Sequence, residues 1–342
     1  MLSPKMLFLC AAVTTIASGC SPLRVSFDVG FAPPPGLAER EVMKDAGAGR
    51  NAPKIVMIPV SGFIADARAP GFLGAGSNPV DELVRRLEIA ENDPNVKAII
   101  LRVNTPGGTV TGSDIMYREL RAYADRTIAP IIATMGEIAT SGGYYVSLSA
   151  DRIIAEPTTV TGSIGVIMQT MNFSGGLAKL GIEARAVKSG PNKDMANPFE
   201  PIKEEQYDIL QGMIDDFYAR FRGLVEERRP EIDATDMNMA TDGRVFTGDA
   251  ALAIGLVDEL GGIRSAFDAA KELSGLSVAR LVAYTPPDID PASPYGVTGE
   301  TPRVSNESRD TQINVVQLNL PASISALTNQ PAFLYVWQPA LN

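Results

Sequence analysis

The chain has 342 residues, 45% of them hydrophobic, with a net charge of −10 and no histidine. Its acidity argues against nucleic acid and anionic lipid as electrostatic partners, and the missing imidazole excludes zinc-protease helices and histidine-based catalytic triads. The two cysteines, Cys10 and Cys20, both precede the body of the chain, which therefore has neither a disulfide framework nor a thiolate metal cluster.

Residues 1–19 have the form of an export signal, with Lys5 at the start and an apolar run from Met6 to Ala17. That run is too short to cross a bilayer, which takes about 20 residues. Ala17-Ser18-Gly19-Cys20 resembles a bacterial lipobox, in which the cysteine is lipid-modified and becomes the new N-terminus. The expectation is a lipid-anchored protein of the bacterial cell envelope, facing the periplasm or the extracytoplasmic side, whose membrane contact comes from acyl chains on Cys20. Residues 20–53, rich in Pro, Gly and Ala, read as a tether.

From Lys54 onward the apolar pattern changes to alternating strands and helices. Strands are expected at Ile55–Ile64, Val96–Val103, Pro130–Met135, Arg152–Ala155, Ile164–Met171 and Ile182–Val187. Helices are expected at Val80–Asn92, Ser113–Asp125, Ser141–Ser149, Gly175–Leu180 and Lys203–Arg229, with a short helix running into a strand over Gly248–Leu260. This alternation predicts one layered α/β domain over residues 54–284, with largely parallel strands. Residues 285–342 loosen into a Pro- and Ser/Thr/Asn-rich arm that regains apolar side chains at Phe333–Trp337. That tail could dock on its own body or on a neighbouring subunit, or remain unattached.

Without histidine, a nucleophilic serine needs another base. A lysine can serve only when uncharged, so its ordinary pKa near ~10.4 has to be lowered by a dry site or by neighbouring positive charge. Four glycine-containing segments carry candidate chemistry. Asn104-Thr105-Pro106-Gly107-Gly108 follows a strand, and its glycines can present N–H groups to an oxyanion or simply form a strand-to-helix turn. Ser141-Gly142-Gly143-Tyr144-Tyr145 opens a small-residue helix, where Ser141 is either a nucleophile with the Gly142 N–H beside it or a helix cap. The segment departs from the Gly-x-Ser-x-Gly elbow because Ala139 stands at the first glycine, and the chain contains no Ser-x-x-Lys. The other two segments are Thr161-Gly162-Ser163-Ile164-Gly165-Val166 and Lys188-Ser189-Gly190-Pro191-Asn192-Lys193-Asp194.

Taken in this order, the four segments resemble the signal peptide peptidase A family, the S49 serine proteases, in its short single-domain form. Gly243-Arg244-Val245-Phe246-Thr247-Gly248 and Gly255-Leu256-Val257-Asp258 match the family downstream, so the resemblance runs from about Lys54 to Tyr284. It implies a ClpP/crotonase-like α/β fold, no cofactor and no metal. By position, the nucleophile falls on Ser141, the general base on Lys193, and a serine that hydrogen-bonds the lysine on Ser163. Lys188 is expected to be a solvated or packing residue. The oxyanion donors fall on Gly142 and on Gly107 or Gly108, with the choice between the pair left open. Short members of the family form closed homo-oligomeric rings, so Ser141 and Lys193 could pair within one subunit or across a boundary. The function implied is a membrane-tethered serine endopeptidase with a Ser/Lys dyad, acting on unfolded apolar peptides such as cleaved signal peptides. Two other readings stand beside it: a crotonase-like acyl-thioester enzyme, and a non-catalytic scaffold or binding lipoprotein.

Overall fold

Strands buried on both faces must be apolar at every position, and the central strands of this chain are. In Ile55–Ile58, Ala98–Leu101 and Ile131–Ala133, successive side chains point alternately into two separate cores. Val56, Ile99 and Ile131 face one core, while Ile55, Ile100 and Ile132 face the other. The structure, a computed structural model, describes residues 36–68, 70–71, 74–75, 77–287, 289–291, 293–296 and 333–336. The expected export signal, the lipobox and Cys20 lie outside the described residues, as does most of the 285–342 arm.

From Leu37 the chain forms one unit. Its elements begin with β1 (Ala38–Lys44), β2 (Lys54–Ile64), β3 (Pro70–Gly71), β4 (Gly74–Ala75), α1 (Pro79–Glu91), β5 (Val96–Thr109), α2 (Val110–Thr127), β6 (Ile131–Thr140) and α3 (Gly142–Ser147). There follow β7 (Arg152–Ala155), β8 (Val160–Gly162), α4 (Ser174–Lys179), α5 (Glu204–Arg228), α6 (Ala234–Ala240), β9 (Val245–Thr247), α7 (Gly248–Ala253), β10 (Glu259–Leu260), α8 (Ile263–Ser274), β11 (Arg280–Thr285) and β12 (Leu334–Val336).

The main sheet runs β1-β11-β2-β5-β6-β7-β10, and all its pairs are parallel except β1 with β11. Helix α8 covers one face through Ile263, Ala266, Phe267 and Ala270. The other face is covered by α1, α2, α3 and α5, with Leu83, Leu120, Tyr144 and Phe221 in that core. The layered, mostly parallel α/β architecture expected from the sequence is present. Strand β6 forks, pairing with β7 in its first half and with β8 over Ile138–Thr140 in its second. The fork directs the end of β6 toward α3, and Ser141 is the single residue between them.

Several expectations are corrected. The span expected to be tether contains β1, where Glu39 and Glu41 alternate with half-buried side chains and reach Lys54 and Arg280 at 2.7 Å. A charged edge strand carries no apolar run, so its pairing was hidden. The segment Asn104–Gly108 is not a turn, because β5 continues through it to Thr109 with an irregularity between Val103 and Thr105. Neither Ile164–Met171 nor Ile182–Val187 is a strand. Ile167 makes a single bridge to Leu334, and Met171, Ile182 and Val187 are exposed. Their apolar positions suggest burial within a sheet, yet among the described residues only Ile167 finds a strand partner, Leu334 of β12, and no strand pairs along the rest.

Candidate active site

Ser141 joins a strand to a helix with φ 53° and ψ −112°, a conformation costly for a residue with a Cβ. The surroundings hold it there. Its N–H donates to Gly162 O at 2.7 Å, and its carbonyl accepts from Tyr145 N at 2.8 Å. The residue is 1% exposed. Its side chain makes no capping hydrogen bond to α3, so the cap reading of Ser141 fails. The strained strand-to-helix junction has the geometry that presents a nucleophile in hydrolases, although the glycine pattern of that motif is absent from the sequence.

A second strained serine lies close by. Ser163 has φ 52°, follows Gly162, and donates its N–H to Arg244 O at 2.7 Å. Because Gly162 O accepts from Ser141, the backbones of the two serine segments abut.

The glycine pair of β5 reaches the same place from the other side. A Cβ on Gly107 would lie 2.8 Å from Gly142 N, and a Cβ on Gly142 would lie 3.1 Å from Gly108 N. No side chain fits here between β5 and the start of α3. Gly107 N–H donates to Thr105 Oγ1 at 3.0 Å, whereas Gly108 sits in the ladder with β12, opposite Tyr335. Val110 N donates to Phe333 O at 3.3 Å, and hydrogen-bonded pairs in an antiparallel ladder recur every second residue. Gly108 and Tyr335 therefore form the next such pair, with the Gly108 N–H directed at the Tyr335 carbonyl. The same oxygen would lie 3.1 Å from a Cβ on Gly142 and 2.0 Å from one on Gly107. One carbonyl oxygen thus occupies the hollow between Gly107, Gly108 and Gly142.

Lys193 is not brought onto Ser141 by a hydrogen bond. It lies on an exposed turn that follows Gly190, and no hydrogen bond or ion pair from a described residue reaches its amine. Lys188, the competing lysine, is bound to Asp194 by a short hydrogen bond and lies 3.7 Å from Glu200. The Asp194 carboxylate raises the Lys188 pKa, which keeps that amine charged and unfit to act as a base.

Residues that sequence reasoning missed also line the site. Thr105 occupies the Gly107 N–H. Tyr145, one turn beyond Ser141 on α3, packs its ring 4.9 Å from Phe221 and donates its hydroxyl to Asp114 at 2.9 Å. Burial, and then the Asp114 carboxylate, push the Tyr145 hydroxyl pKa up. Asp114 also accepts from Arg220 at 2.9 Å. Burial would raise the pKa of Asp114, but the hydrogen bonds from Tyr145 and Arg220 prevail and hold it below the usual carboxylate range. A Ser-Gly-Gly-Tyr-Tyr string hints at the ring beside the serine but gives no sign of its partners on α5.

The sequence model of peptidase family S49 matches residues 124–277. A candidate signal peptide peptidase SppA of Enterococcus faecium is 34% identical over 236 residues, covering 69% of this chain and 68% of that one. This chain belongs to peptidase family S49. A candidate protease of Synechocystis is likewise 34% identical, over 70% of this S49 chain and 80% of the relative. Protease 4 of Haemophilus influenzae is 36% identical over 222 residues, but there the match spans only 35% of the relative's length. A mutant of the 1510-N membrane-bound stomatin-specific protease superposes with a TM-score of 0.38 at 17% identity, over 63% of this chain and 82% of that one. Membership makes the protein a serine protease. Ser141, Ser163 and Lys193 lie inside the matched S49 span, whereas Gly107, Gly108 and Tyr335 lie outside it.

Proposed function

We propose that this S49 member is an endopeptidase in which Ser141 is the nucleophile and Lys193 the general base, with Ser163 steadying the lysine. The observation that carries the reading is the meeting of a strained serine with a peptide carbonyl cradled by Gly108 and Gly142. In this scheme the uncharged Lys193 amine accepts the Ser141 Oγ proton as Oγ bonds to the carbonyl carbon. The oxygen takes up negative charge beside the two amides, a contribution of about 3 kcal/mol per donor in related sites. The C–N bond then breaks, and the lysine returns the proton to the leaving amine. Water hydrolyses the ester by the same route, leaving a carboxylate and restoring the Ser141 hydroxyl.

The exposed Lys193 needs a drier setting, and a second copy of the chain is the proposed source. Met171, Phe173, Leu180, Ile182, Val187 and Phe199 leave apolar surface exposed on the segment that carries it. A homo-oligomeric ring that covers this segment would exclude water from the lysine and admit only extended chains. With a lipid on Cys20, the assembly would act at the bacterial cell envelope, outside the cytoplasm, on apolar peptides such as spent signal peptides.

The test uses a fluorophosphonate probe and an unfolded apolar peptide beside a folded control. Ser141→Ala and Lys193→Ala should each abolish peptide hydrolysis with little change in melting temperature, and Lys188→Ala should be mild. Labelling of Ser141 supports the enzyme reading over a scaffold. Full turnover by Lys193→Ala would remove the proposed base, and equal cleavage of the folded control would remove the proposed substrate class.

A further inference from the structure

Parallel strands in register advance residue for residue, and a side chain at the end of one is placed by that count. β5 and β6 keep the count from Ile99 with Ile131 to Val103 with Met135, and then lose it, because the next pair is Thr105 with Ala139. Two steps along β5 are matched by four along β6, so Gly136–Ile138 form a bulge opposite the single residue Asn104. The bulge also falls where β6 leaves β7 and takes up β8. The surplus is even, which keeps Met135 and Ala139 in the same core. It takes up two residues, about 6–7 Å of regular strand, and sets Ser141 level with Gly107 where an unbroken register would carry it to Thr109. The close approach of Gly107 to Gly142 depends on that placement.

A bulge takes backbone groups out of the ladder, and those groups need substitutes. Asn104 supplies one. Its carboxamide oxygen accepts the Ile138 N–H at 3.1 Å. A Cβ on Gly136 would lie 3.0 Å from that oxygen and 3.1 Å from the Asn104 Cγ, so the absence of a side chain at 136 is what lets the carboxamide enter the bulge. From the β8 side, Thr159 Oγ1 donates to Gly136 O at 2.6 Å. Beyond the bulge the strand is stitched to its neighbours by Thr161, whose hydroxyl donates to Ala139 O at 2.8 Å, and by Thr140, whose hydroxyl donates to Pro106 O at 3.2 Å. Ser141 comes next, in a backbone conformation that persists only where the surroundings over-determine it.

We infer that Asn104 is a positioning residue for the nucleophile: by accepting the Ile138 N–H it fixes the bulge in β6, and the bulge fixes where Ser141 lands beside Gly107 and Gly142. Asn104 touches no reacting atom. It acts three residues upstream of Ser141 through the strand, so its loss misplaces the Ser141 Oγ without changing how a peptide is bound. The inference rests on the reading of Ser141 as the nucleophile.

The experiment compares the unaltered full chain with Asn104→Leu, Asn104→Asp and Gly136→Ala. Leucine keeps the bulk and removes the acceptor, aspartate keeps an acceptor oxygen, and a Cβ at 136 displaces the carboxamide while leaving its chemistry intact. The readouts are the rate at which a fluorophosphonate probe labels Ser141, the number of sites that label, and kcat and KM for an unfolded apolar peptide, with kcat expressed per labelled site. Asn104→Leu and Gly136→Ala should lower the labelling rate and kcat per site roughly 10- to 100-fold with KM within about 2-fold, as a small displacement of a reacting group does. Asn104→Asp should recover most of both. A purely structural role would reduce the number of labelled sites and leave the rate per site unchanged, and that result would overturn the inference. Equal losses in Asn104→Leu and Asn104→Asp would overturn it too, since the acceptor oxygen would then not matter. Hydrogen exchange supplies a readout that needs no activity: the amides of Ile138 and Ser141 should exchange faster in Asn104→Leu and stay protected in Asn104→Asp. Faster exchange at Ile138 with an unchanged labelling rate would show that the bulge does not place the nucleophile. If the unaltered chain neither labels nor hydrolyses while exchange at Ser141 still follows the Asn104 variants, the proteolytic reading alone is lost.

Discussion

Thr105 Oγ1 accepts the N–H of Gly107 at 3.0 Å, and that bond distinguishes the two glycines of β5. The same hydroxyl donates to Gly62 O through a short hydrogen bond, so Thr105 ties β5 to β2 as well as occupying the first amide. Gly108 is left as the amide aimed at the Tyr335 carbonyl, the one proposed above as the oxyanion donor. Thr105→Val keeps the shape and removes both bonds. It should destabilise the chain by about 1–3 kcal/mol and lower kcat about 10-fold with KM nearly unchanged, because the effect falls on the oxyanion position rather than on substrate binding. Steady-state kinetics beside thermal melting checks this; a change confined to KM would show that Thr105 does not hold β5 for the oxyanion.

Strain at Ser141 gives a prediction with opposite signs for stability and activity. Its φ of 53° suits glycine, and a non-glycine residue there costs on the order of 1–3 kcal/mol. Ser141→Gly relieves that cost but frees the unfolded chain, so a net gain of about 1 kcal/mol is expected together with complete loss of turnover. Ser141→Ala should lose turnover with no such gain. Denaturant titration of the two variants decides the point, and equal stabilities would mean that the junction is not strained.

Alkaline pH should unfold the chain through its buried tyrosines. Burial pushes the Tyr144 hydroxyl up to about 12, and that hydroxyl donates to Leu256 O at 2.8 Å. A folded-state pKa raised above the unfolded value near ~10 gives stability that is fully present below pH ~10 and is lost as pH rises through the folded pKa. The window is therefore pH ~10 to about 12. Tyr144→Phe should cost about 1–2 kcal/mol at neutral pH and flatten the loss of stability across that window. Melting curves from pH 8 to 12 would reveal it, and a parallel slope in the variant would exclude Tyr144 as a contributor.

Self-association is expected through the segment that carries Lys193. Leu180 is 75% exposed and Val187 fully so, each on surface that the described residues leave uncovered. The double variant Leu180→Asp, Val187→Asp should shift light-scattering mass to that of a monomer and reduce peptidase activity at least 10-fold, without lowering the melting temperature. Unchanged mass and activity would place any subunit contact elsewhere.

The core of the fold was legible because a parallel sheet covered on both faces leaves long apolar runs, as at Ile55–Ile58 and Ile99–Leu101. The close approach of Gly107, Gly108 and Gly142 was legible because backbone segments that meet this tightly leave no room for a side chain. β1 was not, because its Glu39 and Glu41 take part in ion pairs that only the fold assembles. Ile182–Val187 misled for the reverse reason: its large apolar side chains, Ile182 and Val187, are exposed. The choice between Gly107 and Gly108 depended on one side-chain bond from Thr105. The hydrogen bond from Tyr335 to Phe217 O joins positions more than a hundred residues apart, and periodicity carries no signal for such a meeting.

The ladder between β12 and β5 also bears on solubility. Were residues 333–336 withdrawn, Gly108 and Val110 would lose their backbone partners on a glycine-rich edge open to a stray strand. An enzyme caught between occupants is therefore at its stickiest. Keeping some strand seated there, its own or another, protects the molecule from clumping.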